Sequence, residues 1–258
     1  MTTIAQFPGE LLTKALVRYV EVPGLAGELA LITLDNGEDH TKPSTFGPGG
    51  LLSLDAALDE IEAHTPAVAA IAVTGKPFVL AVGADLTGIP HIPDRAAALE
   101  LGRLGHRVFR RLHNSAVPTF AFVNGVAMGG GLEIALHCHY RTLSRSAAML
   151  AMPEVFLGLV PGWGGTQLLP ALVGAANAVT VILDNPLNQN RTLKPDQAMR
   201  LGLADVLLDG ADFLAEALRW AARVVSGAQT VARPEVDRGA AWDDALARGR
   251  ALVDAKVH

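Results

Sequence analysis

The sequence predicts an α/β fold built from parallel crossover units, on three observations. Its elements are β-rich early, alternate between β and α in the middle, and are all α late. Several strand candidates are continuous apolar runs, as expected of strands buried on both faces beneath helices. The third observation is local. The apolar run 118–123 ends at Asn124-Gly125, three glycines follow at Gly129, Gly130 and Gly131, and a helical stripe of Leu132, Ala135 and Leu136 begins at once. Buried strands followed by helices imply parallel crossovers.

Residues 1–15 have no clear pattern and read as an ordered arm. Residues 17–22 alternate as a strand, and 28–34 (ELALITL) form a second strand close enough for a hairpin. Residues 35–50 hold Pro43, Pro48 and four glycines, a loop longer than a plain connection requires. Leu54, Leu58 and Ile61 give helical spacing over 51–64. Residues 68–74 and 78–82 are strands, the second ending in Gly83-Ala84-Asp85, where Asp85 is placed to cap a short helix. Residues 94–112 form a helix with Asp94 as its N-cap. Beyond the glycine turn, 164–183 are largely helical, 195–201 begin a short helix, and 204–208 form a strand or an edge. Residues 212–225 are amphipathic through Phe213, Leu214, Leu218, Ala221 and Val225. The polar stretch 227–239 breaks the pattern as a linker, and 241–257 form a last, more polar helix.

Composition restricts the function. The chain has 258 residues, 50% of them hydrophobic and 18% charged, enough for a full-sized core. A net charge of −5 lacks the basic footprint of a general nucleic-acid binder. Cys138 is the single cysteine, so no intrachain disulfide forms. No apolar run approaches the ~18 residues of a membrane span, and residues 1–10 lack a signal-peptide pattern. A cytoplasmic location is the expectation.

The motifs admit structural and chemical readings. The triple glycine is neither a dinucleotide fingerprint nor a P-loop. It serves tight helix–strand packing, or it brings backbone N–H groups at a helix start close to a ligand. Glu133, in the first helical turn, favours the helix dipole or supplies a carboxylate. Glu154 follows Pro153 at the end of an apolar run. An anion-stabilising turn beside two carboxylates can host acid–base chemistry on a carbonyl compound. His137-Cys138-His139 lacks zinc-ligand spacing and implies no metal. Trp163, between two glycines, packs or lines a pocket. Arg107, Arg110 and Arg111 form a basic helical face, either solvated or an interface or phosphate contact.

VNGVAMGGGLEIAL, followed by MPEVFLGLVPGWGGTQLLPALVG, resembles the crotonase (enoyl-CoA hydratase/isomerase) family. GKPFVLAVGADLTGI and QAMRLGLADVLL are similar to its earlier and later segments, so the likeness extends over roughly residues 17–222. It is greatest to the hydratase half of bacterial multifunctional fatty-acid oxidation α-subunits.

The resemblance implies a spiral of ββα units with a helical C-terminal part. It implies a crotonase-type domain over 1–226 and a C-terminal linker and helix over 227–258, with the chain continuing in a longer parent protein. The implied activity is hydration of trans-2-enoyl-CoA in fatty-acid β-oxidation. Glu133 and Glu154 match the catalytic glutamates, and Ala84 and Gly130 the oxyanion-hole donors. Ala84, Asp85, Leu86 and Thr87, with Gly130, would lie along the substrate. Acyl-CoA is the substrate partner, with no further cofactor and no metal, and a homotrimer or a module of a β-oxidation complex is the implied assembly. Rival readings are a Δ3-Δ2-enoyl-CoA isomerase and a non-catalytic scaffold docking β-oxidation partners. Two departures stand out. Leu168 and Ala171 occupy positions where basic residues are common. The loop 37–50 lacks the usual R-P-x-x-x-N-A pattern, leaving Lys42 as one candidate for holding the CoA nucleotide.

Overall fold

Among the described residues nine strands divide between two sheets. They are β1 (Lys14–Glu21), β2 (Glu28–Asp35), β3 (Ala70–Gly75), β4 (Val79–Val82), β5 (Thr119–Val123), β6 (Val126–Met128), β7 (Tyr140–Ser144), β8 (Leu150–Ala151) and β9 (Val206–Leu208). The structure is a computed structural model that describes residues 7–233 and 235–256. The first residues of the expected arm and the last of the expected C-terminal helix lie outside the described residues. The larger sheet runs β1-β2-β3-β5-β7-β9 and the smaller β4-β6-β8. The expected hairpin pairs β1 with β2 antiparallel, Val17 opposite Ile32. The other strand pairings are parallel.

Helices join these strands: α1 (Pro48–Ala63), α2 (Arg95–His113), α3 (Gly130–His137), α4 (Gly165–Val173), α5 (Ala175–Val179), α6 (Asn185–Leu187), α7 (Pro195–Arg200), α8 (Phe213–Val225) and α9 (Ala240–Lys256). After the β1–β2 hairpin, which lies wholly in the large sheet, the chain leaves one strand in the large sheet, the next in the small one, and then a helix. β3-β4-α2 and β5-β6-α3 are two such turns, the spiral of ββα units that the resemblance implies.

The continuous apolar runs are explained by burial on two faces. Every residue of β3 and β5 is buried. Because side chains alternate along a strand, Leu29 and Leu31 of β2 meet one layer and Ala30 and Ile32 the other. The first pair packs with Phe120, Phe122 and the α8 residues Phe213, Ala217 and Trp220. The second joins the core under α1, α2 and α3. Asp94 caps α2 as expected, its carboxylate accepting the Ala97 N–H at 2.8 Å, a bond typically worth ~1 kcal/mol.

Several boundaries differ from expectation. α1 starts at Pro48, three residues early, because Glu10 caps it from outside the helix. Its two carboxylate oxygens accept the N–H groups of Gly49 (3.0 Å) and Gly50 (2.9 Å). β6 and β7 lie in stretches where no strand was expected. Both are short and flanked by the glycine turn and by His137-Cys138-His139, so they carry little periodic signal. The single helix expected over 164–183 breaks at Gly174 (φ 81°) into α4 and α5, then continues as a π-helical turn over Thr180–Asp184.

Arg233 fastens the polar stretch after Gly227 to the sheet. Asp205, 4% exposed in its side chain, accepts the Arg141 N–H at 2.7 Å and both arms of the Arg233 guanidinium at 2.9 Å. Arg233 also donates to the His139 carbonyl and lies over the Tyr140 ring. Further on, Arg248 of α9 pairs with Asp184 at 2.9 Å.

Asp205→Ala leaves the buried Arg141 without its carboxylate and should cost about 3–5 kcal/mol. Arg233→Ala, whose head group is partly hydrated, should cost about 0.2–1 kcal/mol. Urea titration of both variants checks the ranking, and equal losses would contradict it.

Candidate active site

The site begins with space. β6 delivers the chain to Gly129, whose φ of 51° and ψ of −125° suit glycine alone. A Cβ there would lie 2.8 Å from Glu154 Oε1, one on Gly130 would lie 2.5 Å from the Trp163 ring, and one on Gly131 would lie 1.9 Å from the Ala81 carbonyl oxygen. The structure therefore supports both readings of the triple glycine. Gly131 lets α3 rest on β4, while Gly129 and Gly130 let backbone approach the cavity wall.

Two N–H groups remain free there. Gly130 opens α3, so its N–H is one of those a helix leaves unpaired, at the positive end of its dipole. At the end of β4, Phe46 donates to the Gly83 carbonyl and Asp85 to the Phe46 carbonyl, each at 2.9 Å. Ala84 lies between these bonds, so its own N–H faces away from Phe46. Among the described residues neither Ala84 N–H nor Gly130 N–H has an acceptor. Both residues line one cavity of about 330 Å³.

Glu133 and Glu154 line the same cavity. Glu133 is 2% exposed. Its Oε1 accepts the N–H groups of Trp163 and Gly165, both at 2.8 Å. Burial raises its carboxyl above the ordinary range, and the two N–H bonds oppose that shift. Glu154 opens a 3-10 helical turn over Glu154–Leu157. Its Oε2 is buried with no partner among the described residues. Burial, and then the neighbouring Glu133 charge, push its pKa up to about 7. The walls are apolar, formed by Leu86, Ile89, Leu101, Leu157, Val160 and Trp163. Two carboxyl groups with different hydrogen bonding, next to two free N–H donors in apolar surroundings, can exchange protons with a carbonyl compound and stabilise an oxyanion.

The other candidate residues divide. Leu86 lines the cavity, but Asp85 and Thr87 do not. Asp85 Oδ1 accepts the Thr87 N–H (3.0 Å) and hydroxyl (2.6 Å), capping the 3-10 turn Leu86–His91 as expected. Trp163 both packs and lines: its ring meets Phe109 edge-on at 5.4 Å while its N–H serves Glu133. Lys42 points to Glu38 at 3.0 Å in an exposed loop. That loop wraps instead around the buried Lys76, which donates to Asn36 Oδ1 and to the carbonyls of Glu38, Asp39 and Lys42. Arg111 is engaged by Asp55, Asp59 and Glu62, while Arg107 and Arg110 are exposed. Leu168 packs against the core, and Ala171 lines a separate surface hollow. Among the described residues no group of three potential ligands could hold a metal, and no helix is long and apolar enough to cross a membrane. A larger hollow of about 750 Å³, lined by Arg200, Arg223 and Arg233 among others, contains neither glutamate.

Sequence reasoning missed the donors to Glu133. The only signal was the glycine cluster around Trp163, which marks a tight turn without saying what it faces.

Residues 26–251 match the family profile described as enoyl-CoA hydratase/isomerase. The chain is 34% identical over 213 residues to the fatty acid oxidation complex subunit alpha of Shewanella frigidimarina, covering 81% of this chain and 29% of that protein. It is 39% identical over 180 residues to the same-named subunit of Shewanella halifaxensis, covering 69% and 24%. The chain thus spans under a third of the length of these curated relatives. Among solved structures, Pseudomonas aeruginosa DspI superposes with a TM-score of 0.68 at 30% identity, covering 93% of this chain and 94% of that one.

The raised Glu154 carboxyl has a consequence for stability. Between the ordinary value of 4.5 and about 7 the folded chain binds more protons than the unfolded one, so stability falls as pH rises through that window. Glu154→Gln removes this penalty and should raise Tm over the parent at about pH 8 but hardly at about pH 4. Thermal melts at both pH values check it; an identical gain at the two would contradict the assignment.

Proposed function

The chain belongs to the enoyl-CoA hydratase/isomerase family, and we propose that it adds water across the double bond of a trans-2-enoyl-CoA to give a 3-hydroxyacyl-CoA. The observation that carries this reading is that Glu133, Glu154, Ala84 and Gly130 share one small apolar cavity. The name of the Shewanella relatives supports a place in fatty-acid oxidation.

The chemistry follows from charge. Attack of water oxygen at C3 moves the electron pair of the conjugated bond onto the thioester oxygen. The Ala84 and Gly130 N–H groups bind that oxygen as charge develops on it, and each such donor typically contributes ~2.7–4 kcal/mol. One carboxylate must take a proton from the water and the other must give one to C2. Glu133 is the base, because two N–H bonds on Oε1 favour its anion. Glu154 is the acid, because burial and a partnerless Oε2 favour its protonated form. The water proton ends on Glu133 and the Glu154 proton on C2. Transfer of a proton from Glu133 to Glu154 restores the starting state, and one water has been added. The reaction needs no cofactor beyond its acyl-CoA substrate. Cytoplasmic operation as a homotrimer, or as a module of a β-oxidation complex, completes the proposal.

Loss of the conjugated absorbance of crotonyl-CoA tests the reaction. Glu133→Gln and Glu154→Gln should each lower kcat by about 10²–10⁴-fold, and full activity in the double variant would refute both roles. The kcat/KM of the parent should fall as pH rises past about 7, where Glu154 loses its proton. Conversion of a 3-enoyl-CoA without uptake of solvent oxygen, and no hydration, would favour an isomerase. A silent assay with tight binding of a β-oxidation partner would favour a scaffold.

A further inference from the structure

His137 is buried, titratable and unused by the chemistry above. It lies one turn after Glu133 on α3, so both side chains leave the same side of the helix. They converge on one short segment. Glu133 Oε1 holds the N–H groups of Trp163 and Gly165, and the Trp163 carbonyl between them lies 2.7 Å from His137 Nε2. A carbonyl oxygen only accepts, so Nε2 carries the hydrogen and donates it. Nδ1 is buried and has no partner among the described residues. Burial, opposed by the Trp163 bond and aided by His106, His113 and Arg110 of α2, lowers the ring to about 4 and keeps it neutral at physiological pH.

The three bonds fix three successive peptide groups around Gly164. That residue sits at φ 115° and leads into α4, where a glycine backbone rotates easily. A Cβ on Gly164 would lie 2.7 Å from His137 Nε2, so the fit on that side is already closed. Without the histidine, only Glu133 would hold this segment from the cavity side. The peptide carrying the Gly165 N–H is fixed independently, because its Gly164 carbonyl accepts the N–H groups of Gln167 (3.0 Å) and Leu168 (2.8 Å); the peptide that would lose its hold is the one between Trp163 and Gly164.

We propose that His137 is a positioning residue: by holding the Trp163 carbonyl it keeps the Trp163 peptide N–H aimed at Glu133 Oε1, and so keeps that carboxylate in place and favours its charged form. The effect on turnover rests on Glu133 being the base, as proposed above. The effect on Glu133 itself does not. Besides His137's own α2 neighbours, the titratable group facing Glu133 is Glu154.

The test compares His137→Leu, which removes the donor, with His137→Gln, whose amide N–H has similar reach. The Glu133 carboxyl carbon is followed through a pH titration by NMR, assigned by its loss in Glu133→Gln. Losing the His137 bond should raise the Glu133 midpoint by about one pH unit in the leucine variant, with the glutamine variant returning most of the way. The acid limb of kcat for crotonyl-CoA should move by the same amount, with KM changed by less than about twofold. A parent-like Glu133 midpoint in His137→Leu, or a glutamine variant displaced as far as the leucine one, overturns the proposal. If His137→Leu does not fold, Gly164→Ala, which pushes the segment off Nε2, must give the same upward shift; no shift there overturns it equally. A Glu133 midpoint that moves while the acid limb stays fixed supports the positioning role and removes Glu133 as the base.

Discussion

Glu133 has lost its water at 2% exposure, and the N–H groups of Trp163 and Gly165 are what replaces it. Desolvation of an isolated carboxylate would protonate it. Two peptide donors on one oxygen oppose that, and they are useful only if their peptides cannot turn away. Much of the surrounding architecture meets this demand. Trp163 is clamped by Phe46 and Phe109, its carbonyl is held by His137, and α4 begins at Gly165 directly behind it.

The same constraint explains why glycine is concentrated at this point of the spiral. The first turn of α3 must press on β4, on the Trp163 ring and on Glu154 at once. Gly131 meets Ala81 backbone and Gly130 the Trp163 ring at distances no Cβ could keep, while Gly129 faces Glu154 Oε1 and is held to glycine by its φ of 51°. Removing three side chains leaves backbone as the cavity wall, and backbone wall means exposed N–H. Close packing and the free Gly130 donor are thus one feature seen from two sides.

The two carboxyls differ because their partners differ. Glu133 receives two donors, while Glu154, at the start of a single 3-10 turn, leaves one oxygen buried and unpartnered. Glu154 is the less buried of the two, so it is the unequal hydrogen bonding that moves the balance of protonation toward it. Separation of this kind is what a general acid and a general base working together require.

Periodicity and turn chemistry in the sequence determined the α/β class, the parallel crossovers, the β1–β2 hairpin and the caps at Asp85 and Asp94, because each of these is settled by residues a few positions apart. The family resemblance carried by the motifs around Gly83, Gly129 and Pro153 implied Glu133, Glu154, Ala84 and Gly130 as site residues, and these four line one cavity. Local pattern could not reveal that Glu10 would cap α1, that Arg233 would fasten the segment beyond Gly227 to Asp205, or that Trp163, Gly165 and His137 would surround Glu133. Nor could it show that Asp85 and Thr87 stay out of the cavity wall. Those outcomes were decided by tertiary structure alone, since a hydrogen bond or a desolvated charge depends on which distant backbone arrives beside it, and sequence spacing carries no measure of that approach.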